Sequence, residues 1–222
     1  MKKYFCLLVT LIMLTAVISC KAEVDLSYYV SELRENVYAC EVDSLKITVY
    51  PEKRETPFIA DSYVGKLKNQ LIVRIDSQTL AIDDAEITLS YDKTTVGGSF
   101  SYSPIGGKYV CVIDVETLPS SGSINAVIKY SGKESNVVLQ SVVNSDSISA
   151  KDAINSVKKH DSNTVEKLFN SGKVEAEIHV RIMSDGNRNY YYVGFVCKDV
   201  TYAYLVDGKT GEILARKSNS NP

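Results

Sequence analysis

Carboxylates and an imidazole recur at a fixed spacing in Glu175-x-Glu177-x-His179. Alternate residues of an extended strand share a face, so these three side chains could converge on a metal ion or work as an acid–base set. The spacing is also the period of a half-buried strand, whose apolar face Ala176, Ile178 and Val180 would supply. On that reading Glu175, Glu177 and His179 form a solvated face, and no metal ligand set is expected. His160, the second of two histidines, follows Lys158 and Lys159 at the end of a helical pattern, where cations suit the helix dipole. A serine or cysteine nucleophile therefore has few bases to draw on. No His-Glu-x-x-His pair, Gly-x-Ser-x-Gly elbow or phosphate loop occurs. No catalytic residue is assigned, no cofactor is expected, and the chain reads as non-enzymatic.

Aromatic residues are the second concentration of chemistry. Tyr190, Tyr191, Tyr192, Tyr202 and Tyr204 fall in one expected hairpin, and Tyr28 and Tyr29 in another segment. Exposed tyrosines stack on sugars or grip peptides, because they join apolar area to a polar tip. In a strand the same residues pack well across the sheet. Tyr190, Tyr192, Tyr202 and Tyr204 are the candidate binding residues, with core and cross-strand packing as the competing role.

A third reactive position is Cys20. Lys2 and Lys3 precede an apolar run from Leu7 to Ile18, too short to span a bilayer, and Val17-Ile18-Ser19-Cys20 closes it. This end resembles a bacterial lipobox. The resemblance implies cleavage of residues 1–19, lipidation of Cys20, and residence on the outer face of the cytoplasmic membrane. Residues 20–24 would be the lipidated cysteine and a short tether. The mature chain keeps 23 basic against 27 acidic residues, a net charge of −4, with no basic block. Nucleic acid is not an expected partner.

Elements that would carry these residues can be read from periodicity. Residues 45–49, 70–75, 85–91, 96–102, 108–115, 124–130 and 136–143 read as strands. Between them stand turn signals such as Asp92-Lys93, Gly97-Gly98, Gly106-Gly107 and Ser131-Gly132. The pattern predicts a β-sandwich over 25–145. Leu26, Tyr29, Val30 and Leu33 fall at helical spacing, although their types leave a strand open. Ser149 and Asp152 form a variant capping box ahead of the apolar stripe Ala150, Ala153, Ile154 and Val157, predicting a helix over 150–160. Strands 176–182, 190–197 and 200–206 follow. A two-residue loop at Lys198-Asp199 would set Phe195 opposite Tyr202 and Val193 opposite Tyr204. The fold class is mainly β, a β-sandwich followed by a small α+β domain (146–217) of helix plus antiparallel sheet, with 218–222 as a flexible tail.

Two further resemblances extend this reading. Tyr109-Val110-Cys111 resembles the Tyr-x-Cys corner of an immunoglobulin-like sandwich, although the chain has no Trp. Cys40–Cys111 pairing is one reading of these cysteines; Cys111 as a small apolar residue in a buried run is the other. The stretch Tyr202 to Leu214, with Asp207-Gly208-Lys209-Thr210-Gly211-Glu212 at its centre, resembles the end of a PepSY domain, and Ile148 to Ile154 resembles its opening helix. That family implies a restraining role toward peptidases, or toward another envelope protein, and brings no catalytic residues. A surface adhesin or glycan- or peptide-binding protein using the sandwich is the alternative. With so short a tether, the sandwich would stand nearest the membrane and the PepSY-like part beyond it.

Overall fold

Strands dominate the computed structural model, which describes residues 24–59, 61, 63–77, 82, 84–104, 106–170 and 173–220. They are β1 (Val30–Arg34), β2 (Tyr38–Val42), β3 (Leu45–Glu55), β4 (Leu67–Ser77), β5 (Glu86–Tyr91), β6 (Thr94–Ser99), β7 (Ser101–Ser103), β8 (Lys108–Val115), β9 (Ser123–Tyr130) and β10 (Lys133–Ser141). Helices α1 (Ala150–His160) and α2 (Ser162–Lys167) follow. The chain then continues through β11 (Phe169–Asn170), β12 (Lys173–Val174), β13 (Glu177–Ser184), β14 (Asn189–Val196), β15 (Val200–Asp207) and β16 (Ile213–Ser220). Both helices lie in the C-terminal third. Among the described residues, no helix is long and apolar enough to cross a membrane.

The alternation of the first half buries one large core. Val49, Val73, Ile75, Leu89, Ile128 and Leu139 are fully buried within it. β3 pairs with β4 over its whole length and β4 with β8, while β2 links β3 to the run β10-β9-β5-β6. Cys40 and Cys111 both pack in this core, and among the described residues no disulfide joins them. Asp92 and the Ser131-Gly132 pair turn the chain at positive φ, as their types suggest. Gly97-Gly98 does not: both lie inside β6. A methyl group on Gly98 would stand 2.6 Å from the Cys111 sulfur, so the glycine there permits close packing instead of a turn.

The second core gathers Ala153, Ile154 and Val157 of α1 against Ile178, Val180 and Ile182 of β13 and their neighbours on β14 and β15. α1 has its full capping box, Ser149 accepting from the Asp152 N–H and Asp152 bonding back. The β14–β15 register is the expected one, Val193 opposite Tyr204 and Phe195 opposite Tyr202. β16 runs on to Ser220, so residues 218–220, expected as tail, pair with Val200–Tyr202.

The N-terminal segment departs furthest from expectation. Leu26–Tyr29 form one 3₁₀ turn capped by Asp25, and β1 then lies parallel to β13 on one side and antiparallel to β3 on the other. Leu26 is buried in the second core, and Val30 and Leu33 pack against it. The start of the chain therefore completes the C-terminal core instead of the first one, and fourteen of the described strands form one connected sheet, with β11 and β12 a separate pair.

Candidate functional site

Where β13, β1 and β3 run side by side, the face turned away from α1 carries ionised side chains. β13 alternates, so Ile178, Val180 and Ile182 point to the helices while Glu177, His179 and Arg181 point the other way. β1 sets Glu32 beside His179 and Arg34 beside Arg181, and β3 sets Arg54 beside Glu32. The solvated face expected of β13 is thus a buried seam. Glu177 is 0% exposed, and so is Glu52; Glu32, Arg34 and Glu55 are also buried. Glu175 is exposed and lies before the strand, so Glu175, Glu177 and His179 do not converge.

Charges in the seam pair specifically. Arg181 grips Glu32 through both Nε and Nη2, the latter at 2.7 Å, and the Arg34 Nη2 meets Glu52 Oε2 at 2.7 Å. Burial pushes the Glu32 carboxyl up, but Arg181 outweighs it and holds the group below its ordinary value. His179 stands 3.8 Å from Glu32 and edge-on to Phe58, with ring centroids 5.0 Å apart. Burial, aided by Arg181 and Arg54, holds its pKa down at about 4 against the pull of Glu32, so the ring is neutral at physiological pH.

Glu55 and Glu177 form the remaining pair. The Gly65 N–H donates to Glu55 Oε1 at 2.6 Å, and the Asp61 N–H to Glu177 Oε1 at 3.0 Å. The Oε2 atom of each carboxyl is buried without a hydrogen-bond partner among the described residues. Burial first, then the facing Glu55, pushes Glu177 up to about 7. Four carboxyls (Glu32, Glu52, Glu55, Glu177) share the seam with the guanidiniums of Arg34, Arg54 and Arg181. A methyl group at Gly65 would collide with Glu55, which explains the glycine there. Among the described residues no group of three or more His, Cys, Asp and Glu is placed to hold a metal ion. The seam's ion pairs join the two halves, Arg181 to Glu32 across β13 and β1 and Arg34 to Glu52 across β1 and β3.

The candidate tyrosines divide between two faces of the β13–β16 sheet. Tyr204 is 1% exposed, donates to Asp161 at 2.9 Å, packs edge-on to Phe195, and is pushed up to about 12 by burial and by Asp161. Tyr202 is half-buried on the same helix-covered side. Tyr190 and Tyr192 look outward, Tyr190 bonded to Asp185 and Tyr192 beneath the Arg181 guanidinium at 5.3 Å. Period-2 alternation makes the split: Tyr191 belongs with Tyr202 and Tyr204, and its neighbours do not. Cys20 lies outside the described residues.

The turn at the end of β15 keeps its local reading. Asp207 Oδ1 accepts from the Lys209 and Thr210 N–H groups at 2.9 and 2.8 Å, and Gly211 has φ +75°. It docks on the start of α1, where the Ile148 N–H donates to the Gly208 carbonyl at 2.7 Å. Sequence reasoning missed Glu32, Arg34, Glu52, Glu55 and Arg181. Their only trace is charge within apolar strand patterns, which nothing local distinguishes from a wet face. No family model, curated protein or solved structure matches the chain.

Proposed function

We propose that the chain is a lipid-anchored bacterial surface protein, tethered through Cys20, that binds and restrains an extracellular peptidase or another envelope protein without catalysing a reaction. The carrying observation is the contact between the two segments that resemble a PepSY domain. The capped start of α1 and the Asp207–Glu212 turn, some sixty residues apart, meet through the Ile148–Gly208 bond, and a methyl group on Gly211 would stand 2.7 Å from Ser156 of α1. The resemblance implies a helix opened by a Ser cap and a strand–turn–strand ending, and in this chain the two are in contact. The opposite sheet face presents Tyr190, Tyr192 and Arg181, a mixture of aromatic area and charge suited to a polypeptide partner. We read the first half as an immunoglobulin-like sandwich that serves as scaffold. That reading rests on the strand pattern and the Tyr109-Val110-Cys111 resemblance.

The test uses the full mature chain, because residues 146–217 alone would lack β1 and Leu26. Added to the envelope fraction of the producing cell, the chain should slow peptide hydrolysis, and the Tyr190→Ala/Tyr192→Ala variant should lose the effect. Unchanged hydrolysis would reject the peptidase reading. Binding of envelope glycans lost only on Tyr102→Ala would favour the sandwich-based adhesin, since Tyr102 is 58% exposed on β7.

A further inference from the structure

The point at which the chain departs toward Cys20 is fixed to the helices. Val24 packs on the second core, and Lys158 Nζ donates to its carbonyl at 3.3 Å. Lys151 Nζ pairs with Asp25 at 2.8 Å, and Leu26 is buried just behind. Four peptide links separate Cys20 from Val24, a reach of about 14 Å even when fully extended. Whatever holds Cys20 must therefore lie near α1, whose apolar side chains belong to the second core and not to the first. With a lipid on Cys20 this would put α1, and not the sandwich, nearest the membrane, the reverse of the expected order.

At this departure point Val24, Asp25, α1 and α2 border an open groove of about 650 Å³. Lys151, Lys158 and Lys159 line it against Asp25 and Glu166. The balance is locally basic, whereas the mature chain is net negative. Lys159 is exposed on α1.

The geometry points to the α1–α2 face as the surface that rests on an anionic bilayer, its lysines meeting lipid phosphates. The inference depends on the lipid anchor at Cys20. That anchor sets the occupant: a face within tether reach of an inserted acyl chain has the headgroup layer as its neighbour. Exposed lysines near such a surface are attracted to anionic lipid within a Debye length. The β-rich half and the Tyr190–Tyr192 face then remain available to partners.

The experiment takes full-length protein from the membrane fraction of cells that make it and places it, alone, in vesicles of phosphatidylcholine and phosphatidylglycerol. Lysines are labelled with a membrane-impermeant amine reagent and compared with the soluble Cys20→Ser chain. Lys158 and Lys159 should label several-fold more slowly on vesicles, with Lys129 and Lys133 of the β9–β10 hairpin unchanged. The protection should shrink in high salt and in the Lys158→Glu/Lys159→Glu variant, read at Lys151. Equal labelling in both forms, with diacylglycerol on the Cys20 peptide by mass, would overturn this orientation and leave the anchor standing. Protection that grows with protein density at fixed lipid would assign the face to a second copy and overturn it too. A Cys20 peptide without diacylglycerol would remove the anchor, and the orientation with it.

Discussion

Glu177 and His179 are two residues apart on β13, and burial moves their proton equilibria in opposite directions, up to about 7 and down to about 4. A carboxyl with a folded pKa of about 7 against an ordinary value of 4.5 contributes fully at low pH, and its contribution is lost as pH rises toward 7. A histidine held at about 4 against 6.5 contributes fully above 6.5 and loses it as pH falls toward 4. Between 4.5 and 6.5 the two slopes oppose each other. Asp25, Glu32, Asp161 and Asp207, held below their ordinary values of 3.8 to 4.5, act at lower pH and leave this interval alone. The native chain should therefore show a urea midpoint nearly flat from about pH 5 to 6.5. Glu177→Gln should acquire a midpoint that rises with pH over that interval. His179→Gln should acquire one that falls, each by roughly 1–2 kcal/mol in all. Parallel profiles in the three proteins would show that the two groups do not oppose one another.

β1 is the element on which the seam depends, because it bonds to β13 on one side and β3 on the other while bringing Glu32 and Arg34. Glu32 is 2% exposed at its side chain and holds Arg181 through two bonds, so Glu32→Gln leaves a guanidinium short of a counter-charge. The expected loss is about 2–3 kcal/mol, at or below the low end for a broken buried pair because Arg181 keeps 34% exposure. Glu134→Gln removes the Lys129–Glu134 pair, whose side chains are 59% and 55% exposed, and should cost no more than about 0.5 kcal/mol. Equal losses in chemical denaturation at neutral pH would deny the seam its structural role. Elements with local causes were legible in the sequence: the Ser149 cap, the Asp207–Gly211 turn, and the Lys198-Asp199 loop that sets the β14–β15 register. The parallel β1–β13 pairing joins residues nearly 150 apart and leaves no local mark, so Glu177 read as wet although it is fully buried beside β1 and bonded by the Asp61 N–H. Gly97-Gly98 misled for a related reason, since a glycine needed for close packing on Cys111 looks like one needed for a turn.

Across the whole molecule, two apolar cores are held to one another by a shared ladder and a buried charge network. The chain supplies the second core from distant segments, Leu26, Val30 and Leu33 early and Ala150 to Val206 late, with Val37, Tyr50, Val142 and Val143 between. A long-range closure of this kind makes the halves cooperative, because releasing β1 unpairs β13 and β3 together and exposes the seam carboxyls and guanidiniums at once. Leu26, 2% exposed, is remote from the first core, so Leu26→Ala separates local from global effects. Truncation should cost about 2–4 kcal/mol through lost burial and the cavity left under α1. Amide exchange tests where that loss is felt. If the ladder couples the halves, the slowest amides of β4 in the first core and of β14 in the second should both exchange faster by the same free energy. Faster exchange confined to α1 and β13–β15, with β4 unchanged, would mean that the halves unfold independently and that β1 is only a surface strap between them.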